Sequence, residues 1–85
     1  MKIKILPKAA KKLKKLPKLD QIAIGRKIRN LPTVSQEEKL KGYKDIFRTR
    51  VGDYRIVYKK TPEEIVIILI GHRKEVYKLL RNLFN

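Results

Sequence analysis

Hydrophobic and polar residues alternate through the middle of the chain, from Phe47 to Tyr58. A period of two predicts half-buried β-strands, because successive side chains of a strand point to opposite faces. Gly52 and Asp53 interrupt the pattern, and a glycine at the first loop position supplies the positive φ that a two-residue hairpin turn requires. The turn predicts which residues lie opposite each other: Val51 and Tyr54, Arg50 and Arg55, Thr49 and Ile56, Arg48 and Val57, Phe47 and Tyr58.

This pairing gives the hairpin two different faces. One face has the character of a core surface and consists of Phe47, Thr49, Val51, Tyr54, Ile56 and Tyr58. The other face gathers Arg48, Arg50 and Arg55. Like charges opposite each other destabilise a sheet. The arginine cluster therefore indicates a binding site for a polyanion.

Periodic patterns also predict the elements around the hairpin. Strands are expected at Lys2–Leu6 and at Ile65–Ile70, the latter apolar on both faces and hence an inner strand. Helical spacing predicts helices over Lys8–Leu16, about Lys18–Asn30 and about Lys74–Leu83. A second apolar stripe on the middle helix, formed by Leu19, Ile22 and Ala23, predicts packing on two sides. The buried stripe of the last helix is expected to be Val76, Leu79, Leu80 and Leu83.

The predicted order of elements is β-α-α-β-β-β-α, which is typical of an α+β domain. We expect residues 1–85 to form one domain: an antiparallel sheet of about four strands, with an N-terminal helical hairpin and a C-terminal helix packed on it. Ser35 and Glu38 have the spacing of a capping box, which predicts a single helical turn in the connection before the hairpin.

Charge narrows the class of partner. The 85 residues carry 23 Lys and Arg against 8 Asp and Glu, a net charge of +15. Such an excess attracts nucleic acid, an anionic membrane or an acidic protein, and the strong strand patterns favour nucleic acid over a membrane-bound amphipathic helix. The absence of Cys and the single His exclude thiolate and multi-His metal sites. The N-terminus has no signal-peptide pattern, so we expect a cytoplasmic protein without a membrane partner.

A second cluster of polar residues, Gly71-His72-Arg73-Lys74-Glu75-Val76-Tyr77, lies where the inner strand gives way to the last helix. His72 and Arg73 are expected at the strand end and Tyr77 on the first helical turn. If the inner strand pairs with the strand that carries Arg55, this topology brings the cluster toward the arginine face. His72 has the only side chain with an ordinary pKa near neutrality, which makes it a candidate acid or base.

Two motifs, Gly-Asp-Tyr-Arg-Ile-Val-Tyr at 52–58 and Gly-His-Arg-Lys-Glu-Val-Tyr at 71–77, resemble the RelE/ParE toxin superfamily on its RelE side. Lys41-Gly42-Tyr43 is similar to the same family. The resemblance implies the toxin of a type II toxin–antitoxin pair that cleaves mRNA in the ribosomal A site. Attack by the ribose 2′-hydroxyl would need neither metal nor cofactor. The implied partners are the ribosome, mRNA and an acidic antitoxin.

The resemblance also implies roles for particular residues. Arg55 and Arg73 match arginines proposed to hold the scissile phosphate, and Tyr77 matches a tyrosine of the last helix. Arg48 and Arg50 stand where some relatives have lysines, and with Lys41 they are the candidate RNA-binding residues. Because arginine does not deprotonate near neutral pH, proton transfer is assigned to His72 and Tyr77 as a hypothesis.

His72 and Tyr77 could have structural instead of catalytic roles, and two other functions are compatible with the sequence. His72 would be structural if it only fixes the turn into the helix, and Tyr77 would be structural if it packs against Leu80 and Phe84. Tyr54 and Tyr58 are expected in the core. A ParE-like gyrase inhibitor and a non-catalytic RNA-binding module are the alternative functions.

Overall fold

The computed structural model describes residues 1–33 and 37–84, and it consists of a sheet with helices on both faces. The elements in chain order are β1 (Lys2–Ile5), α1 (Pro7–Lys14), α2 (Lys18–Arg29), a 3₁₀ turn (Leu31–Thr33), β2 (Glu38–Lys39), β3 (Ile46–Val51), β4 (Tyr54–Lys60), β5 (Glu64–His72) and α3 (Arg73–Phe84). The predicted α+β class and order are confirmed. Among the described helices, none has the length and hydropathy to cross a membrane.

The sheet has the strand order β1-β5-β4-β3-β2, so it contains five strands instead of the expected four. The additional strand β2 has two residues, which is too short to leave a periodic pattern in the sequence. Its first residue is Glu38, which the sequence assigned to a capped helical turn; the partner in that motif, Ser35, lies outside the described residues. β1 pairs with β5 in parallel, whereas the other pairs are antiparallel. The expectation of an antiparallel sheet was therefore wrong for β1, because two helices separate it from the other strands and leave its direction free.

The hairpin register is confirmed at all five predicted pairs. Gly52 has a φ of 59°, the left-handed conformation that the turn requires. A bulge between Val57 and Tyr58 offsets β4 against β5, so that Val57 lies opposite Leu69 while Tyr58 lies opposite Ile67. The extra residue in β5 shifts the alternation, and Ile67 and Ile70 consequently belong to the same buried cluster.

Two hydrophobic clusters cover the two faces of the sheet. The larger cluster lies beneath α1 and α2 and consists of Ala9, Ile24, Ile28, Leu31, Ile56, Tyr58, Ile65, Ile67 and Ile70. The smaller cluster lies beneath α3 and consists of Ile46, Val57, Leu69 and Val76. The face that carries the arginines is thus also a packing surface, since Val57 is fully buried there.

Two apolar stripes are more exposed than their spacing predicted. Leu19 and Ile22 on α2 are 80% and 48% exposed, so α2 buries only its Ile24 and Ile28 side. On α3, Val76 is buried but Leu79 is 37% exposed. Periodicity identifies an apolar side of a helix, but it does not show whether a small domain has enough other elements to cover that side.

A partly buried polar cluster holds the chain just before β2. Tyr58 is fully buried and donates a hydrogen bond to the Glu37 carboxylate. Lys60 Nζ donates to the same carboxylate at 3.3 Å and to the Leu31 carbonyl at 3.1 Å. Burial raises the pKa of the Tyr58 phenol above its ordinary range, and the hydrogen bond to Glu37 adds to this. The assignment of Tyr58 to the core is confirmed.

We expect the free energy of unfolding to fall as the pH rises from about 9 to about 11. Tyr58 contributes to this loss because its pKa is higher in the folded than in the unfolded chain. Its contribution is complete below the unfolded-state pKa of about 10 and is lost above it, where the unfolded chain releases the proton first. Urea unfolding at a series of pH values measures the effect. Tyr58→Phe should be less stable but lose less stability over this interval, and equal slopes for the two proteins would contradict the account.

Candidate functional site

Three arginines lie together on the face of the sheet that α3 covers. Arg50 and Arg55 are directly opposite each other on β3 and β4. Arg48 precedes Arg50 by two residues on β3 and so lies on the same face of the sheet. It is opposite the buried Val57 and hence next to α3. The cluster predicted from the sequence is therefore present, and α3 lies beside one end of it.

Arg48 links three elements. Its Nε and Nη2 donate hydrogen bonds to Glu38 Oε2 on β2, at 3.2 and 2.8 Å. Its Nη1 donates to the Tyr77 hydroxyl on α3 at 3.2 Å, and its guanidinium carbon lies 5.5 Å from the centre of the Tyr77 ring. These contacts place a cation, a carboxylate and a phenol side by side, with the guanidinium close enough to the ring for a cation–π interaction.

Arg55 has unused hydrogen-bonding capacity. Its Nη1 is buried, and among the described residues it has no hydrogen-bond partner. An unsatisfied buried donor costs about 1–3 kcal/mol, and an anion that reaches it recovers part of that cost. Arg55 also acts on the neighbouring carboxyl: the hydrogen bond and charge of Arg48, together with the charge of Arg55, hold the pKa of Glu38 below its usual range.

A cleft of about 320 Å³ opens beside Arg48. We call it the arginine–tyrosine cleft, and its lining residues are Leu40, Lys41, Tyr43, Arg48, Tyr77, Leu80 and Arg81. Cations next to aromatic rings are the combination that binds single-stranded nucleic acid, because the cations hold phosphates and the rings stack on bases. The structure thus brings three of the predicted site residues together: Lys41, Arg48 and Tyr77.

His72 does not join this group. It lies directly opposite Tyr54, and residues opposite each other share a face of the sheet. The Tyr54 and His72 rings meet edge to face, with centres 6.2 Å apart. Tyr54 packs against the larger hydrophobic cluster and donates a hydrogen bond to Asp20 at 3.1 Å. The expected convergence of the 71–77 segment with the arginine face therefore holds for Tyr77 but not for His72, because alternation along β5 turns His72 away.

Arg73 and Gly71 fix the start of α3 against the hairpin. Arg73 is the first residue of α3 and is exposed, and its N–H donates to the Asp53 carbonyl in the hairpin turn at 3.0 Å. Gly71 lies opposite Arg55. A Cβ at this position would lie 3.2 Å from Val76 Cγ2, closer than nearly all such contacts. The glycine thus lets the first turn of α3 approach the sheet beside Arg55.

Three residues of the site, Glu38, Tyr43 and Arg81, were not predicted from the sequence as site residues. Glu38 was assigned to a helical turn, and a two-residue strand gives no periodic signal that would have corrected this. Arg81 follows Tyr77 by four residues, so helical spacing alone places the two on the same side of α3. Tyr43 belongs to the Lys41-Gly42-Tyr43 segment, and Gly42 has a φ of 84°, which marks a sharp turn there.

Comparison with known proteins gives matches over most of the chain. The family model described as the ParE toxin of the type II toxin–antitoxin system parDE matches residues 3–77. Toxin RelE3 of Methanocaldococcus jannaschii is 40% identical over 40 residues, which are 47% of this chain and 46% of that toxin. The chain thus aligns with less than half the length of this curated relative.

Solved structures give the same fold. The RelB–RelE antitoxin–toxin complex from Methanococcus jannaschii matches with a TM-score of 0.72 and 26% identity, over 87% of this chain and 94% of that one. The archaeal RelE–RelB complex from Pyrococcus horikoshii matches with a TM-score of 0.66 and 28% identity, over 85% and 93%. A variant of the E. coli toxin RelE in the free state matches with a TM-score of 0.75, over 99% of this chain and 97% of that one. At 22% identity this match shows the fold alone.

The fold and the cleft define a small basic α+β protein with a cationic, aromatic site on one face of its sheet. The match over residues 3–77 shows its family: the chain belongs to the ParE toxins of type II toxin–antitoxin systems, within the RelE/ParE superfamily.

Proposed function

We propose that this protein is the toxin of a type II toxin–antitoxin system and that it cleaves mRNA in the ribosomal A site. The observation that carries the proposal is the arginine–tyrosine cleft, in which Arg48 contacts Tyr77. On the same face of the sheet, Arg55 Nη1 is buried and has no hydrogen-bond partner among the described residues. This site offers guanidinium donors for a phosphate and rings for bases. It lies on a chain whose net charge is +15.

The chemistry that suits these groups is an in-line attack of a ribose 2′-oxygen on the adjacent phosphorus. The 2′-oxygen gives its proton to solvent water and bonds to phosphorus, the bond from phosphorus to the 5′-oxygen breaks, and the leaving 5′-oxygen takes a proton from the Tyr77 hydroxyl. The products are a 2′,3′-cyclic phosphate and a 5′-hydroxyl. Negative charge develops on the non-bridging oxygens, and guanidinium donors stabilise it. We assign this role to Arg48 and Arg55. Arg50 and Arg73 are exposed and contribute charge to the same end of the sheet.

The Tyr77 hydroxyl is the proton donor in this proposal. It already accepts a hydrogen bond from Arg48 Nη1, so it lies within reach of any phosphate that the guanidinium holds. His72, which sequence analysis paired with it, is on the opposite face of the sheet. We therefore assign no proton transfer to His72.

Tyr77→Phe should slow cleavage on programmed ribosomes by about 10²-fold, because a positioned acid contributes about 10²- to 10⁴-fold to rate. His72→Ala should change the rate less than about threefold, since general acid–base catalysis requires contact with the reacting atoms. Single-turnover rates with saturating protein measure both. Equal losses in the two variants, or a loss in His72→Ala alone, would contradict the assignment.

Inhibition of gyrase is the second candidate, and the specific observation in its favour is the ParE family match over residues 3–77. The two functions leave different traces in a cell. A brief pulse of expression followed by mapping of mRNA 5′ ends should reveal new ends inside translated codons. DNA breaks without new mRNA ends would support the gyrase function. The absence of both new mRNA ends and DNA breaks would indicate a non-catalytic RNA-binding module.

We propose an acidic antitoxin as the partner that inhibits this toxin, and the cytoplasm as the place where it meets ribosomes. A groove of about 720 Å³ lies between α1, α3 and the second half of β5, which β1 leaves unpaired. Apolar side chains such as Ala9, Ile68 and Leu79 line it, with lysines of α1 along its side. An amphipathic segment with acidic residues complements this pattern of charge and apolar surface.

A further inference from the structure

We propose that Glu38 determines which anions the arginine–tyrosine cleft accepts, because its carboxylate occupies the edge of Arg48 that a phosphate would use. This inference rests on the proposed binding of RNA at the cleft. Arg48 Nε and Nη2 form one edge of the guanidinium, and both donate to Glu38 Oε2. The same edge binds phosphate groups through paired hydrogen bonds. In the free protein Glu38 is therefore an internal substitute for the phosphate.

The carboxylate can leave this position without unfolding anything. The Glu38 side chain is 73% exposed, whereas that of Arg48 is 28% exposed. A rotation of the Glu38 side chain into solvent frees the arginine edge, while the Tyr77 contact on Nη1 remains. Exposed ion pairs contribute little to stability, so a better ligand displaces such a carboxylate readily.

The backbone holds Glu38 beside Arg48, so that its carboxylate can bind the guanidinium again when the phosphate leaves. β2 has only two residues, and among the described strands it pairs with β3 alone, which is too little to hold a strand by itself. The adjacent Glu37 supplies the anchor: its carboxylate is 17% exposed and accepts hydrogen bonds from Tyr58 and Lys60. Successive side chains of an extended segment point to opposite faces. Fixing Glu37 in the core thus directs Glu38 toward Arg48.

This arrangement discriminates between ligands. A phosphate that contacts only Arg48 replaces one anion with another and gains little. A strand whose phosphate also reaches Arg55 Nη1, and whose base stacks on Tyr77, makes contacts that Glu38 does not make. Glu38 therefore disfavours RNA bound loosely by its backbone, relative to RNA held in the geometry of the whole site.

The test measures binding of the full chain to a fluorescent single-stranded oligouridylate by anisotropy, at one fixed salt concentration. Glu38→Gln should bind about three- to fivefold more tightly than the natural chain, the size expected for loss of a competing exposed ion pair. Glu63→Gln removes the same charge from an exposed position away from the cleft and should change the affinity less than about 1.5-fold. Arg48→Ala should bind more weakly, and adding Glu38→Gln to it should have no further effect.

Three results would overturn the inference. One is an affinity of Glu38→Gln equal to or below that of the natural chain. Another is an equal gain in affinity in Glu63→Gln, or on adding Glu38→Gln to Arg48→Ala. Either gain would mean that the net charge of the chain, and not the contact with Arg48, causes the effect. The third is a gain in affinity of Glu38→Gln that persists when Tyr77 and Arg55 are both replaced by Ala, which would mean that Glu38 does not favour RNA held by the whole site. If Glu38→Gln binds more tightly but the natural chain does not cleave mRNA, the proposed function fails and this inference stands.

Discussion

Arg55→Ala is expected to lower the rate of mRNA cleavage on programmed ribosomes by about 10²- to 10³-fold, the cost of removing one preorganised donor to a developing oxyanion. Arg55 is singled out by its buried Nη1, which has no partner among the described residues. A donor held free in this way needs no reorganisation when the phosphate reaches its transition state. The loss should appear in the single-turnover rate as well as in binding.

The control is Arg26→Ala, which removes an exposed arginine from α2, on the other face of the sheet. Its effect on the rate should be less than about threefold, because exposed charges at a distance are screened by salt. Arg55→Ala should also reduce the dependence of ribosome binding on salt by about one phosphate contact. A rate for Arg55→Ala within threefold of the Arg26→Ala rate, or an unchanged salt slope, would exclude a phosphate contact at Arg55.

The second large effect concerns stability. Ile24→Ala is expected to destabilise the protein by about 2–5 kcal/mol, because it leaves a cavity at a side chain that is completely buried in the larger cluster. For 85 residues the total free energy of unfolding is about 4–13 kcal/mol. The substitution thus removes a large share of it, and the midpoint of urea unfolding should fall accordingly.

Ile22→Ala on the same helix is the matched control. Ile22 is 48% exposed, and the change of residue type is identical, so its effect should be within about 0.5 kcal/mol. The comparison separates burial from helix propensity. Equal destabilisation by both substitutions would mean that the outer stripe of α2 is covered in solution.

Local patterns predicted the parts of this fold that local chemistry determines. The alternation from Phe47 to Tyr58 and the turn at Gly52 gave the register of β3 and β4 correctly. Helical spacing located both ends of each of the three helices to within two residues. These features depend on side-chain periodicity and on the φ of one glycine, and both can be read from the sequence.

Features that depend on distant parts of the chain could not be predicted. The parallel direction of β1 depends on its pairing with β5, in which Lys2 lies opposite Glu64, more than sixty residues later in the chain. β2 directly follows Glu37, whose carboxylate accepts hydrogen bonds from Tyr58 and Lys60, more than twenty residues away. The place of Glu38 in the site follows from β2, so it was missed for the same reason.

The candidate site was predicted in part. The arginine cluster and the position of Tyr77 near it followed from strand pairing and from the start of α3. The side on which His72 lies depends on the register between β4 and β5, which places His72 opposite Tyr54. The connection between β4 and β5 is not a two-residue hairpin turn, so the sequence does not determine the register of this pair.

We propose that this toxin-family protein cuts mRNA in the ribosomal A site by attack of a 2′-hydroxyl. The most direct test incubates the purified full chain with ribosomes carrying a defined mRNA and an empty A site, and then determines the ends of the products. We expect a cut inside the A-site codon, a 2′,3′-cyclic phosphate on the upstream fragment, and no cut at that codon in mRNA without ribosomes. Intact mRNA on such ribosomes, or products ending in a 3′-hydroxyl, would contradict the proposal.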